Sequence, residues 1–255
     1  MERSAGRLEG KVAIVTGGAQ GQGAAITRAF VAEGASVVIG DVADEPGKAL
    51  AEELGEGATF VHLDVSDEDS WRAAHEQAVT TYGPVNVLVN NAGVLMFAEL
   101  ATMEVADFDR LVGINMRGCF LGMRTVSPGM VEQGGGSIIN CSSIEGLGGM
   151  PTLVAYTGTK FAVRGMSKAA AMELGPKGVR VNSVHPGMID TGMIRGYAGD
   201  EGMKWAAKKI PLRRVGTPDD VAPVYVFLAS DESQYCTGAE FVADGGVTGT
   251  HAFGG

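Results

Sequence analysis

The chain has 255 residues, 45% of them hydrophobic and 20% charged, which is enough for one large α/β domain with a sizeable core. Thirty acidic side chains against twenty basic ones leave a formal net charge of −10, so nucleic acid and anionic membrane are excluded as expected partners. Residues 1–7 lack the apolar stretch of a leader peptide, no apolar run is long enough to cross a bilayer, and Cys119, Cys141 and Cys236 have no metal-ligand spacing; a cytoplasmic protein with reduced thiols and no metal is the expectation.

The pattern alternates from the start. Lys11–Thr16 reads as a strand and Gly21–Glu33 as a helix; Ser36–Gly40 and Glu45–Leu54 repeat the pair. Ala58–Leu63, then Asp67–Tyr82, then Val85–Val89 continue it as strand, helix, strand. Near-continuous apolar strands separated by helical segments indicate a parallel sheet covered on both faces. In the second half, Asp107–Glu132 reads as a long helix, irregular near Pro128, and Gly136–Cys141 as a strand. Leu153–Leu174 is a second long helix and Val179–Val184 a strand; residues 188–214 read as less regular. Asp219–Leu228 is a helix and Glu240–Ala243 a last short strand. The expected fold is a single-domain, Rossmann-like, doubly wound parallel sheet of about seven strands over residues 1–255.

The first strand runs into Thr16-Gly17-Gly18-Ala19-Gln20-Gly21-Gln22-Gly23 and then directly into a helix. Glycines allow the tight turn and let backbone N–H groups approach a pyrophosphate at the helix N-terminus. The second strand ends at Asp41, whose carboxylate can accept hydrogen bonds from ribose hydroxyls and would repel a 2′-phosphate. Neither Gln20 nor Val42 or Ala43 supplies a cation there, so NAD is the expected cofactor rather than NADP. Asp64-Val65 can bind the adenine amino group, or Asp64 can belong to a helix cap.

Tyr156 and Lys160 are spaced to share one helix face. A free phenol titrates near pH 10, and a neighbouring ammonium favours its phenolate, the form a general base needs. Ser143 follows a strand end and can hold a substrate oxygen beside the tyrosine. Asn91-Ala92-Gly93 and Pro186-Gly187 also sit at strand ends, where open parallel sheets bind ligands. Asn115 is a polar residue in an apolar helix segment, either satisfying a kinked backbone or relaying polarity to Lys160.

Taken in order, the glycine loop at 16–23, Asp64, Asn90 to Gly93, Asn115, Ser143, Tyr156-Thr157-Gly158-Thr159-Lys160 and Pro186 to Thr191 resemble the short-chain dehydrogenase/reductase family over about residues 7–247. The resemblance implies Tyr156 as acid/base, Lys160 as its electrostatic partner and ribose ligand, Ser143 as the group polarising the substrate oxygen, and Asn115 as holder of a water in a proton relay. It implies that Gly17, Gln20, Gly21, Gln22, Gly23, Asp41, Asp64, Val65, Asn91, Ala92, Gly93, Tyr156, Lys160, Pro186, Gly187, Ile189 and Thr191 contact the cofactor. The departure is Gln22, where the family usually carries an aliphatic side chain.

Phe60 to Val65, Ser142 to Leu147, Val181 to Met188 and Tyr235 to Glu240 give a narrower resemblance to bacterial NAD-dependent 3α,20β-hydroxysteroid dehydrogenases. Methionines and aromatics over 188–205 (Met188, Met193, Ile194, Tyr197, Met203, Trp205) suit a lid over an apolar substrate, with Leu95, Met96, Phe97, Leu147, Met150 and Leu153 as further walls. A bulky hydrophobic alcohol such as a hydroxysteroid is the expected substrate. A 3-oxoacyl-carrier-protein reductase and a non-catalytic NAD-binding scaffold are the alternatives. In the family the two long helices pair between subunits, so a homotetramer is expected, with 241–255 joining a second interface.

Overall fold

The structure, a computed structural model, describes residues 6–249. Seven strands form one wholly parallel sheet: β1 (Val12–Thr16), β2 (Ser36–Asp41), β3 (Ala58–His62), β4 (Val87–Asn90), β5 (Gly136–Cys141), β6 (Val179–Pro186) and β7 (Glu240–Ala243). Their order is β3-β2-β1-β4-β5-β6-β7, the doubly wound arrangement that the alternating pattern implies. In β1, Ile14 is in register with Val38 of β2 and Leu88 of β4.

Side chains along each strand alternate between the two faces. Ala13, Val15, Val37, Ile39 and Val89 pack on one face with Ile26 and Phe30 of α1 (Gly21–Ala32), Leu50 of α2 (Asp44–Leu54) and Val221 and Tyr225 of α8 (Pro218–Ala229). Ile14, Val38, Leu88 and Ile138 pack on the other with Trp71 of α3 (Glu68–Tyr82), Leu121 of α5 (Gly118–Glu132) and Val163 of α6 (Val154–Leu174). Fully burying side chains of this kind stabilises the fold by roughly 1.5–3 kcal/mol each.

Two elements differ from the sequence reading. The long helix begins earlier, as α4 (Val105–Leu111), and its irregularity is a π-helical turn over Val112–Arg117; α5 continues through Pro128. The wider turn carries the buried Asn115, and π turns of this kind recur at functional sites. The stretch expected to be irregular contains α7 (Gly192–Lys209), kinked where Gly199 takes φ +57°. Glycines at 192, 196, 199 and 202 lower helix propensity there, and only Met203 and Ala206 are buried, so no apolar stripe marks it.

Residues 1–5 and 250–255, which include most of the leader-peptide reading and the end of the suggested 241–255 interface, lie outside the described residues. Among the described residues no helix is long and apolar enough to cross a membrane, and no cluster of metal-ligating side chains occurs.

Candidate active site

Strand order reverses between β1 and β4, which opens a crevice at the carboxyl ends of the strands. A cleft of about 520 Å³ lies there. Its first wall is the glycine loop. Gly17 has φ +60°, and a Cβ on it would lie 2.9 Å from the Ala92 Cα. A Cβ on Gly23 would overlap the Gly17 carbonyl oxygen, so neither position accepts a side chain. No side chain caps α1 and no acidic residue stands in its first turn. By contrast, Asp67 caps α3, and Thr217 with Asp220 forms a reciprocal cap on α8. The N–H groups of α1 at the cleft therefore suit a phosphate.

Gly17, Gln20, Gly21, Gln22, Gly23, Asp41, Asp64, Val65, Asn91, Ala92, Gly93, Ser143, Tyr156, Lys160, Pro186, Gly187, Ile189 and Thr191 all line this cleft. The Asp41 carboxylate is fixed by two backbone donors: Ala19 N–H reaches Oδ2 at 3.0 Å and Ala43 N–H reaches Oδ1 at 3.0 Å. Each oxygen keeps a lone pair for a ribose hydroxyl. Asp64 is not the helix cap, since Asp67 takes the Asp69 N–H; Asp64 Oδ1 accepts instead from the Ser66 N–H and hydroxyl. The Thr191 hydroxyl accepts from the Ile194 N–H at the start of α7.

At the other end, Lys160 Nζ stands 5.5 Å from the centroid of the Tyr156 ring. Lys160 is 4% exposed, and its ammonium donates to the Cys141 carbonyl at 2.9 Å. Ser143 is buried and extended. Its hydroxyl oxygen accepts from the Glu145 N–H at 3.1 Å, which leaves the O–H to donate to a substrate oxygen. Asn115 stands behind the cleft. Its Oδ1 accepts from Val94 N–H at 2.8 Å and its Nδ2 donates to Val94 O at 2.9 Å and to the Thr159 hydroxyl at 3.2 Å. The amide is thus tied to the Val94 turn and to Thr159, and Oδ1 keeps one lone pair beyond the Val94 N–H.

Several contacts escaped the sequence reading. The Thr16 hydroxyl accepts from both Asn91 N–H and Ala92 N–H at 3.0 Å, tying β1 to the turn after β4. The Ser142 hydroxyl donates to the Lys160 carbonyl at 2.9 Å, docking α6 on the end of β5. Both are hydroxyls at strand ends, a signal that was present but unspecific. Val94, Arg110 and Met193 line both the cleft and an adjoining recess of about 210 Å³ whose other walls are Leu95, Met96, Asp107, Leu111 and Tyr197. Phe97, Leu147, Met150, Leu153, Met188, Met203 and Trp205, suggested as substrate walls or lid, line neither space; Leu153 and Met203 are buried, while Phe97, Met150 and Trp205 are exposed.

A family model described as enoyl-(acyl carrier protein) reductase matches residues 17–248. The chain is 51% identical to a 3-alpha-(or 20-beta)-hydroxysteroid dehydrogenase of Mycobacterium tuberculosis over 95% of this chain and 91% of that protein. It is 45% identical to an NADP-dependent (R)-specific alcohol dehydrogenase of Lentilactobacillus kefiri, over 95% and 98% of the two chains. It is 42% identical to a trans-4-hydroxycyclohexanecarboxylate dehydrogenase of Sinomonas cyclohexanicum, over 97% and 96%. With this sheet order and this cleft, these likenesses establish that the chain belongs to the short-chain dehydrogenase/reductase family and is an oxidoreductase using a nicotinamide cofactor.

Proposed function

We propose that this oxidoreductase interconverts a bulky apolar secondary alcohol, such as a hydroxysteroid, and its ketone with NAD(H), using Tyr156 as general acid and base. The observation that carries the reading is the meeting of Tyr156, Lys160 and Ser143 with the glycine loop and Asp41 in one cleft. A bound nicotinamide would supply or accept the hydride. The remaining work falls to the protein. The Ser143 O–H donates to the substrate oxygen, and the Tyr156 oxygen gives or takes the hydroxyl proton. The Lys160 ammonium stabilises negative charge developing on the Tyr156 oxygen.

NAD is favoured because the tethered Asp41 carboxylate lines the cleft at the end of β2, where its charge would repel a 2′-phosphate, while Gln20, Val42 and Ala43 offer no cation. The apolar substrate is supported by the recess beside the cleft with Leu95, Met96, Met193 and Tyr197, and by the substrate named for the mycobacterial relative. Residues 188–214 would act as the lid. A screen following reduced-cofactor absorbance with NAD+ and NADP+, over steroids, cyclic alcohols, aryl carbinols, polyols and an acyl-carrier thioester, tests this. Turnover of hydroxysteroids with NAD+ is expected. Activity confined to polyols or to the acyl-carrier thioester would overturn the substrate class.

We also propose a homotetramer. Phe108, Met116, Phe120, Phe161 and Met172 on α4, the π turn, α5 and α6 are all exposed in the single chain, an apolar surface suited to a second copy. A monomeric mass by light scattering would refute it.

A further inference from the structure

Gln22 stands where the family usually carries an aliphatic side chain, and its amide has a defined destination. Gln22 Nε2 lies 3.3 Å from Asn91 Oδ1, 3.2 Å from the Tyr225 hydroxyl and 3.4 Å from Cys141 Sγ. Its two N–H bonds are shared among these three acceptors. Tyr225 is fully buried in the core between α8 and the sheet, where a hydroxyl without a partner would be costly.

Asn91 is the link to the loop. Its Nδ2 donates to the Thr16 carbonyl at 3.0 Å and to the Gly17 carbonyl at 3.2 Å. Both partners are acceptors only, so the NH2 must face the loop and Oδ1 must face Gln22. A flipped amide would set its oxygen against two carbonyl oxygens. The same NH2 also approaches the places where Cβ atoms on Gly17 and Gly23 would stand, so it fills space that only glycines leave open.

Resting on the reading of the cleft as a dinucleotide site, we propose that Gln22 is a positioning residue for the cofactor. By donating to Asn91 Oδ1 it locks the Asn91 amide onto the Thr16 and Gly17 carbonyls and holds the glycine loop in its binding shape. Tyr225 is the buried anchor that keeps the Gln22 side chain aimed inward. The polar pair Gln22–Tyr225 thus does by hydrogen bonding what an aliphatic side chain at position 22 cannot do.

The test compares wild type, Gln22→Leu, Tyr225→Phe and the double variant by two readouts: melting of the cofactor-free protein and fluorescence titration with NADH. Gln22→Met, which keeps the length but has no N–H, replaces the leucine variant if that one does not fold. Loss of one net hydrogen bond predicts an NADH dissociation constant raised about three- to tenfold in Gln22→Leu. Because the lost interaction serves binding, KM for NADH should rise in step with its dissociation constant. Tyr225→Phe removes the anchor while keeping the Gln22–Asn91 contact, and should weaken NADH binding by less than Gln22→Leu does. In the double variant no buried hydroxyl is stranded, so melting should recover while NADH binding stays weak. Recovery of binding in the double variant would mean that Gln22 merely satisfies Tyr225, and unchanged binding in Gln22→Leu would mean it does not position the loop; either overturns the proposal. Wild-type protein that binds neither NADH nor NADPH overturns the dinucleotide reading itself, an outcome distinct from both.

Discussion

The imidazole of His185 and the backbone carbonyl of Ser143 are joined by a 2.9 Å hydrogen bond across the ends of β5 and β6. Because a carbonyl only accepts, Nδ1 carries the proton and Nε2 accepts from the Ser183 hydroxyl, 2.9 Å away. His185 is fully buried, which disfavours its charged form. Burial pushes its pKa below the ordinary 6.5, and burial does the same to His75.

A pH dependence with a definite sign follows from that depressed pKa. As pH falls below about 6.5, the unfolded chain takes up protons that the folded chain refuses, so stability declines on the acid side and is retained above it. The melting temperature should drop by a few degrees between pH 7.5 and 5.5, where about 1 kcal/mol corresponds to roughly 2–4 °C for a chain of this size. His185→Gln keeps a donor for Ser143 but does not titrate, and should flatten part of the fall, His75 accounting for the rest. An unchanged slope in His185→Gln would assign the acid sensitivity elsewhere.

Tyr156→Phe removes one oxygen and keeps the ring beside Lys160. If that oxygen carries the proton, kcat should fall by about 10²- to 10⁴-fold, with NADH binding by fluorescence close to wild type. Equal loss of binding and turnover would instead indicate a disturbed cleft. Lys160→Met should be worse in both measures, because a buried ammonium held by the Cys141 carbonyl is removed from beside the ring.

Asp41→Ser tests cofactor choice. The substitution removes the carboxylate that would meet a 2′-phosphate, and it also breaks the tethers to Ala19 and Ala43. The ratio of kcat/KM for NAD+ over NADP+ should fall by about tenfold or more, the equivalent of one charge-assisted hydrogen bond. Most of the change should come from weaker NAD+ use. A ratio that stays put would show that Asp41 does not discriminate.

How much of this was legible in the sequence varies by element. The strands of the sheet were readable because β-branched runs such as Val12–Thr16 are buried on both faces. The cleft residues were readable because glycines, Asp41 and the Tyr156–Lys160 pair sit at the ends of those strands or on the helix beside them. The π turn at Asn115 was not, because the residues around it keep a helical composition and only the backbone hydrogen bonding changes. The α7 helix was not, because glycines interrupt it and its buried side is two residues wide. The partners of Gln22 were beyond reach for another reason: Tyr225 lies on α8, far along the chain, and only the completed sheet brings the two together.

The least legible segment also yields the sharpest test of substrate. Tyr197 on α7 donates its hydroxyl proton to the Leu95 carbonyl at 2.7 Å, and its ring lies 5.1 Å from that of Phe97. These two contacts bind the helix to the loop after β4, and the Tyr197 ring forms one wall of the recess beside the cleft. A bulky substrate that extends past the reacting carbon would lie along this wall, whereas a small ring would not reach it. Tyr197→Ala should therefore raise KM for a hydroxysteroid by roughly tenfold, the size expected for a lost aromatic contact, and leave kcat/KM for cyclohexanol within about twofold. Tyr197→Phe, which keeps the ring and loses only the bond to Leu95, should fall between the two. If steroid and cyclohexanol suffer equally in the alanine variant, α7 shapes the cleft as a whole and the recess is not where the distal part of the substrate sits.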